Sequence, residues 1–125
     1  MKKAYLIILF LTAALARVYA EAAMEFASQD TAQVNLLNKQ GFKSRMTDHD
    51  ETIKKAEQAL ELAKKLNYIN GMAEAYRVMG VGEAYANHEA KAIANYSYAL
   101  SYFRKAGNTL GQAKVYNNIG NLYLT

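Results

Sequence analysis

The stretch GMAEAYRVMG, residues 71–80, recurs forty positions later as GQAKVYNNIG, residues 111–120. Four positions are identical in the two copies: the first glycine, the alanine, the tyrosine and the last glycine. The same offset, without a gap, pairs Ala59-Leu60 with Ala99-Leu100. A fixed period in this range is typical of a stacked-repeat architecture, in which one copy cannot bury its apolar face alone. The repeat therefore favours a scaffold that holds a partner.

Apolar residues at helical spacing predict five helices joined by short turns, with no strand. The absence of proline suits an almost entirely helical chain. The first helix is expected to begin after Asp30 or Thr31, and the second after Asp48, which with Glu51 resembles a capping box. Short connections make neighbouring helices antiparallel. The other expected boundaries are a helix stop at 67–71, a third helix over 72–85, a turn at 87–89, and a fourth helix that ends at 107–108 before a fifth that opens at Gly111.

A glycine inside the fifth helix is informative because it costs about 1 kcal/mol relative to alanine. Tyr116, Ile119, Gly120 and Tyr123 place two rings, an aliphatic group and this glycine on one side. We interpret the glycine as the point where another helix backbone passes closely. Small residues in a partner helix, such as Ala92 and Ala99, serve the same close approach.

This pattern resembles the tetratricopeptide repeat (TPR) family, whose signature combines large residues, Leu-Gly, Tyr and Ala at fixed spacing. The resemblance implies an all-α fold in which helix-turn-helix repeats stack as a short right-handed α-solenoid of about two and a half TPR units. It covers residues 31–125, as approximate pairs 31–70 and 71–110 and a half repeat 111–125. The first pair matches weakly. The signature positions in the other two are Tyr76, Met79, Gly80, Ala92, Tyr96 and Ala99, then Tyr116, Ile119, Gly120 and Tyr123.

Two details qualify the resemblance. Glu83 occupies the position that Tyr123 takes one repeat later, where an apolar group normally packs, so Tyr85 is a candidate to replace the missing ring. The segments 59–65, 73–77 and 116–120 are also similar to exported bacterial TPR regions. In those proteins the repeats often precede a membrane helix and a sensor histidine kinase or a DNA-binding regulator.

The first twenty residues have the order of a secretory signal peptide. Lys2 and Lys3 precede the apolar run Ala4–Ala16, and Val18-Tyr19-Ala20 supplies a cleavage site before a lead segment, 21–30. The run is shorter than the roughly 20 apolar residues that span a bilayer comfortably. We therefore predict an exported protein, periplasmic or extracellular; a buried helix is the alternative. The net charge of +4 would largely leave with this segment, so no nucleic-acid partner is expected.

Candidate binding residues follow from the resemblance, because the first helix of each TPR pair lines the concave groove. The face opposite the packing stripe would then meet a peptide, which asparagine amides and basic groups can hold. The alternative is an ordinary solvated helix face. The candidates are Glu74, Arg77 and Val81 on the third helix and Lys114, Asn117 and Asn121 on the fifth.

No catalytic constellation is visible in the sequence. The chain has no cysteine, no glycine-rich phosphate loop and no pair of histidines with a glutamate on one helix. His49 and His88 fall in predicted turns beside acidic residues, where a solvated turn is a simpler interpretation than a metal site. We expect no enzymatic activity, no cofactor and no metal.

The sequence thus predicts a non-enzymatic scaffold that binds a protein or peptide outside the cytoplasm. The alternative is the N-terminal sensory or interaction part of a membrane-bound signalling protein, whose histidine kinase or transcriptional regulator would lie in a missing downstream segment. Self-association through the last helix is a third possibility, because Tyr116, Ile119 and Tyr123 would be half exposed without a following helix.

Overall fold

The computed structural model describes residues 1–124 and contains five helices, with no strand in that range. They are α1 (Lys2–Ser44), α2 (His49–Lys65), α3 (Ile69–Tyr85), α4 (Glu89–Lys105) and α5 (Thr109–Tyr123). The predicted all-α class is confirmed. The chain divides into two units, Met1–Asp30 and Thr31–Thr125.

The first unit is helical throughout from Lys2, and residues 1–29 are exposed. Helix α1 is long and apolar enough to cross a membrane by length and composition, a test that a signal sequence near the N-terminus also passes. The expected helix start after Asp30 or Thr31 is wrong, because α1 runs through this point without a break. The physical reason is that no proline or glycine precedes Gly41, so nothing interrupts the helix.

The short turns of the second unit repeat one geometry. Asn67, Asn87 and Gly107 each adopt a left-handed conformation just after a helix, with φ of 51°, 61° and 67°. Asp48 caps α2 as expected, since its Oδ1 accepts a hydrogen bond from the Glu51 amide at 2.9 Å. Asn108 caps α5 in the same way, accepting from the Gly111 amide at 2.8 Å.

Two expected helix starts need correction. Helix α3 begins at Ile69 and α5 at Thr109, so Gly71 and Gly111 lie inside the first turn of each helix. Both glycines make room for a side chain. A Cβ at Gly71 would clash with the Tyr68 ring and would lie 2.7 Å from Val34 Cγ1, and one at Gly111 would clash with the Phe103 ring.

Helix α3 is the centre of the second unit. It packs against α2, α4 and α5, and residues of α1 from Val34 onward share its core. Three apolar clusters surround it, and every buried side chain of the described chain lies at Val34 or beyond. Residues 1–20 therefore contribute nothing to the core. The cluster members are Ala73, Val81, Ala92, Tyr96, Ala99, Phe103 and Val115; Val34, Leu37, Ala59, Ala63, Met72 and Ala75; and Ala56, Val78 and Met79.

The two helix-interior glycines of the repeat behave differently. A Cβ at Gly80 would lie 2.5 Å from Tyr96 Cε1 and 3.2 Å from the Ala92 carbonyl oxygen, so the predicted close approach is confirmed there. A Cβ at Gly120 would meet nothing within 4 Å. The prediction of a neighbour at Gly120 is therefore wrong for the described residues, because no described helix covers that side of α5.

The position of Glu83 is also explained. Its Oε2 lies 2.7 Å from His88 Nδ1, and only 13% of the Glu83 side chain is exposed. Tyr85 is 48% exposed and does not replace the missing ring. The carboxylate is thus accommodated by pairing with the turn that follows α3.

We predict that Gly80→Ala destabilises the fold, because Tyr96 is 2% exposed and its ring has no room to move away. The overpacking penalty of about 1–3 kcal/mol outweighs the better helix propensity of alanine. Gly120→Ala is the matched control and should gain up to about 1 kcal/mol, since it meets open space. Urea unfolding of both variants tests this, and equal midpoints would contradict it.

We also predict that Tyr96 makes the fold sensitive to alkali. Burial raises the pKa of Tyr96 to about 12 from 10.0, although the nearby Arg77 charge acts in the opposite direction. Because the folded pKa exceeds the unfolded one, this stability is present below pH 10 and is lost as pH rises toward 12, by about 2 kcal/mol. Unfolding free energies of wild type and Tyr96→Phe between pH 9 and 12 should diverge accordingly; parallel curves would contradict the prediction.

Candidate functional site

Helices α1, α3 and α5 line a groove with a volume of about 540 Å³. Each helix contributes polar side chains to it, and Phe42 is its single aromatic residue. The lining residues are Asn35, Asn38, Lys39 and Phe42 of α1, Glu74 and Arg77 of α3, and Lys114, Asn117 and Asn118 of α5.

Four of the six residues predicted from the sequence, Glu74, Arg77, Lys114 and Asn117, line this groove. Val81 does not, since it is 3% exposed and belongs to the core beside Tyr96. The physical reason is that α3 is enclosed by neighbouring helices, so few of its positions reach the surface. Asn121 is exposed on α5 but is not among the residues that line the groove.

Arg77 is committed to partners within the chain. Its Nη2 and Nε donate to Glu74 Oε1 and Oε2 at 2.6 and 3.0 Å, and its Nη1 donates to Asn118 Oδ1 at 3.0 Å. The guanidinium carbon lies 4.9 Å from the centre of the Phe42 ring. Only 8% of the Arg77 side chain is exposed. The expectation that Arg77 holds a ligand carboxylate is therefore corrected, because the carboxylate it holds is that of Glu74.

The same side chain connects three helices. Arg77 and Glu74 belong to α3, Asn118 to α5 and Phe42 to α1, which also lies 4.0 Å from the Arg45 guanidinium carbon. Bidentate arginine–carboxylate pairs are directional as well as strong. Arg77 thus fixes the three walls of the groove relative to one another.

Asn38 lies in the groove wall with one hydrogen-bonding atom unused. The side chain is 2% exposed, and its Nδ2 donates to the Gly71 carbonyl oxygen at 3.3 Å. Because that carbonyl can only accept, the amide nitrogen must face it, which leaves Oδ1 on the other side. Within the described chain Oδ1 has no partner. A buried acceptor without a donor costs about 1–3 kcal/mol, so its presence here calls for an explanation.

The charge of the groove is positive. Glu74 is neutralised by Arg77, whereas Lys39 and Lys114 form no ion pair within the described residues. Both lysines are exposed, and they come from opposite walls, on α1 and α5. Two uncompensated cations around a concave, amide-lined surface favour a ligand that carries negative charge.

Five lining residues escaped the sequence prediction: Asn35, Asn38, Lys39, Phe42 and Asn118. Four of them lie on α1, whose match to the repeat is weak. One signal was present, because Asn38 and Asn118 are separated by two forty-residue periods and so occupy equivalent positions. The periodicity that defines the repeat therefore also relates two polar residues of the groove.

The histidines lie outside the groove. His88 pairs with Glu83, and His49 Nε2 lies 3.7 Å from Asp50 Oδ1. No group of three or more His, Asp or Glu side chains in residues 1–124 is placed to hold a metal ion. Comparison with family models, with curated proteins and with solved structures finds no match to this chain.

We predict that Arg77→Met destabilises the fold by about 3 kcal/mol, because it leaves the partly buried Glu74 carboxylate and the Asn118 amide without their donor. Adding Glu74→Gln should recover part of this loss, since no unpaired charge remains. Lys114→Met, on the exposed wall, is the control and should change stability by less than about 0.5 kcal/mol. Urea unfolding measures all three; a stable Arg77→Met variant would contradict the role of Arg77 as a link.

Proposed function

We propose that this chain is a non-enzymatic scaffold of the TPR type that binds an extended, acidic segment of a partner protein in the groove between α1, α3 and α5. Three features support the repeat assignment: the forty-residue period, the equivalent left-handed turns at Asn67, Asn87 and Gly107, and the packing of Tyr96 on Gly80. On this proposal α1 and α2 form the first pair, α3 and α4 the second, and α5 begins a third.

The observation that carries the binding proposal is the unpartnered Oδ1 of Asn38. An extended peptide presents a backbone N–H at every non-proline residue, and an amide oxygen is a suitable acceptor for it. A ligand that donates to Oδ1 would remove the penalty that the free protein carries. The preference for an acidic segment comes from Lys39 and Lys114, whose charges no described carboxylate compensates.

We also propose that the protein acts outside the cytoplasm. The side chains from Tyr5 to Leu11 are between 54% and 77% exposed, a continuous apolar surface that water does not favour. Export with removal of residues 1–20 would eliminate this surface, and anchoring in a membrane would cover it. The second case fits the alternative function, a sensory or interaction part of a membrane-bound signalling protein.

The proposed function is tested by peptide binding to the chain without residues 1–20, which retains every buried side chain of the described structure. The probes are fluorescent ten-residue peptides of equal hydropathy that are acidic, neutral or basic. We expect the acidic peptide to bind most tightly and its affinity to fall with added salt. Equal affinity for the acidic and basic peptides would overturn the charge preference.

Asn38→Leu separates binding from folding. It removes the unpaired acceptor, so the variant should be at least as stable as wild type, while the affinity for the acidic peptide falls about tenfold, as loss of one hydrogen bond of about 1.4 kcal/mol predicts. Lys114→Gln should weaken binding and reduce its salt dependence, whereas Lys91→Gln on α4, outside the groove, should do neither. Unchanged binding by Asn38→Leu would refute the proposed contact.

A further inference from the structure

One side of α5 carries apolar residues that nothing in the described chain covers. Tyr116 is 52% exposed and Tyr123 66%, and Gly120 between them faces open space. Ile119 is half-buried beside the core. We call the surface formed by Tyr116, Ile119, Gly120 and Tyr123 the α5 face.

The structure contains a covered version of this face. Tyr76, Met79 and Gly80 are the equivalent residues of α3, forty positions earlier. There α4 packs closely, and the ring of Tyr96 sits against Gly80, where a Cβ would be 2.5 Å from Tyr96 Cε1. The glycine of this motif is thus a socket that receives a tyrosine ring from a neighbouring helix.

We infer that the α5 face binds the α5 face of a second copy of this chain in a two-fold, antiparallel pair. The face carries both halves of the contact seen between α3 and α4, the glycine socket at Gly120 and a tyrosine on either side of it. A surface that bears both halves is complementary to itself, which a two-fold interface requires.

Tyr123 is the ring that enters the partner's socket. The hydroxyl of Tyr116 is already held, because it accepts a hydrogen bond from Arg104 Nη2 at 2.7 Å. Tyr123 is the more exposed of the two rings. In the antiparallel pair, Tyr123 of each copy packs on Gly120 of the other.

The charges of α5 permit this pairing. Lys114 is the only charged residue between Thr109 and Tyr123, and it lines the groove with Asn117 and Asn118. The α5 face itself therefore brings no like charges together across the two-fold axis. Because groove and α5 face use different positions of the helix, peptide binding and self-association are separable, and each can fail without the other.

The test is sedimentation equilibrium of the chain without residues 1–20, over a range of concentrations. We expect a monomer–dimer equilibrium that Gly120→Ala and Tyr123→Ala each weaken at least tenfold. Gly120→Ala is informative because it should unfold at a higher urea concentration than wild type, so weaker association cannot result from poor folding. Tyr98→Ala is the matched control, since Tyr98 is 56% exposed on α4 and lies off the α5 face.

Three results would overturn the inference. The first is a protein that stays monomeric at millimolar concentration. The second is a dimer that Gly120→Ala and Tyr123→Ala leave unchanged, which would place the interface elsewhere. The third is a monomer that binds an added peptide of the α4 sequence, residues 89–105, because the occupant would then be a helix of that kind and not a second copy.

Discussion

The close approach of neighbouring helices to α3 is the constraint on which the second unit depends. One glycine faces each of three neighbours: Gly71 lies against Val34 of α1, Gly80 against Tyr96 of α4, and Gly82 against Ile53 of α2. In a helix interior each glycine costs about 1 kcal/mol relative to alanine, so the packing they permit must contribute more than this. Since a Cβ at any of the three would come within 3 Å of a neighbouring side chain, the helix spacing depends on their absence.

The sequence predicted the number of helices and the middle of each one, because apolar periodicity and the forty-residue repeat are properties of whole segments. Their beginnings were harder. Gly71 and Gly111 look like boundaries in sequence, yet both are inside helices, where they make room for Tyr68 and Phe103. A glycine that ends a helix and one that accommodates a ring are the same letter, and only the neighbouring helix distinguishes them. The start of α1 was missed for a related reason, since a cleavage site is not a helix breaker.

The candidate groove was predicted in part, and the misses have a common physical origin. Spacing on a helix shows which residues share a face, but it does not show how far a neighbouring helix covers that face. Val81 shares a face with Arg77 in sequence and is nevertheless buried in the core. The direction of a long side chain is equally hidden, since the hydrogen bond from Arg77 to Asn118 joins residues 41 positions apart. The wall formed by α1 was missed because its repeat signature is weak.

Helix α5 connects the two proposed surfaces, and Arg77 controls how it does so. The groove uses Lys114, Asn117 and Asn118, whereas the α5 face uses Tyr116, Gly120 and Tyr123. Successive residues of a helix differ in direction by about 100°, so a small rotation of α5 about its axis would move residues out of both surfaces at once. The hydrogen bond from Arg77 to Asn118 opposes that rotation at the middle of the helix. Peptide binding and self-association would therefore share one positioning contact even though they share no surface, and loss of Arg77 should impair both, whereas loss of Asn38 or Tyr123 should impair only one.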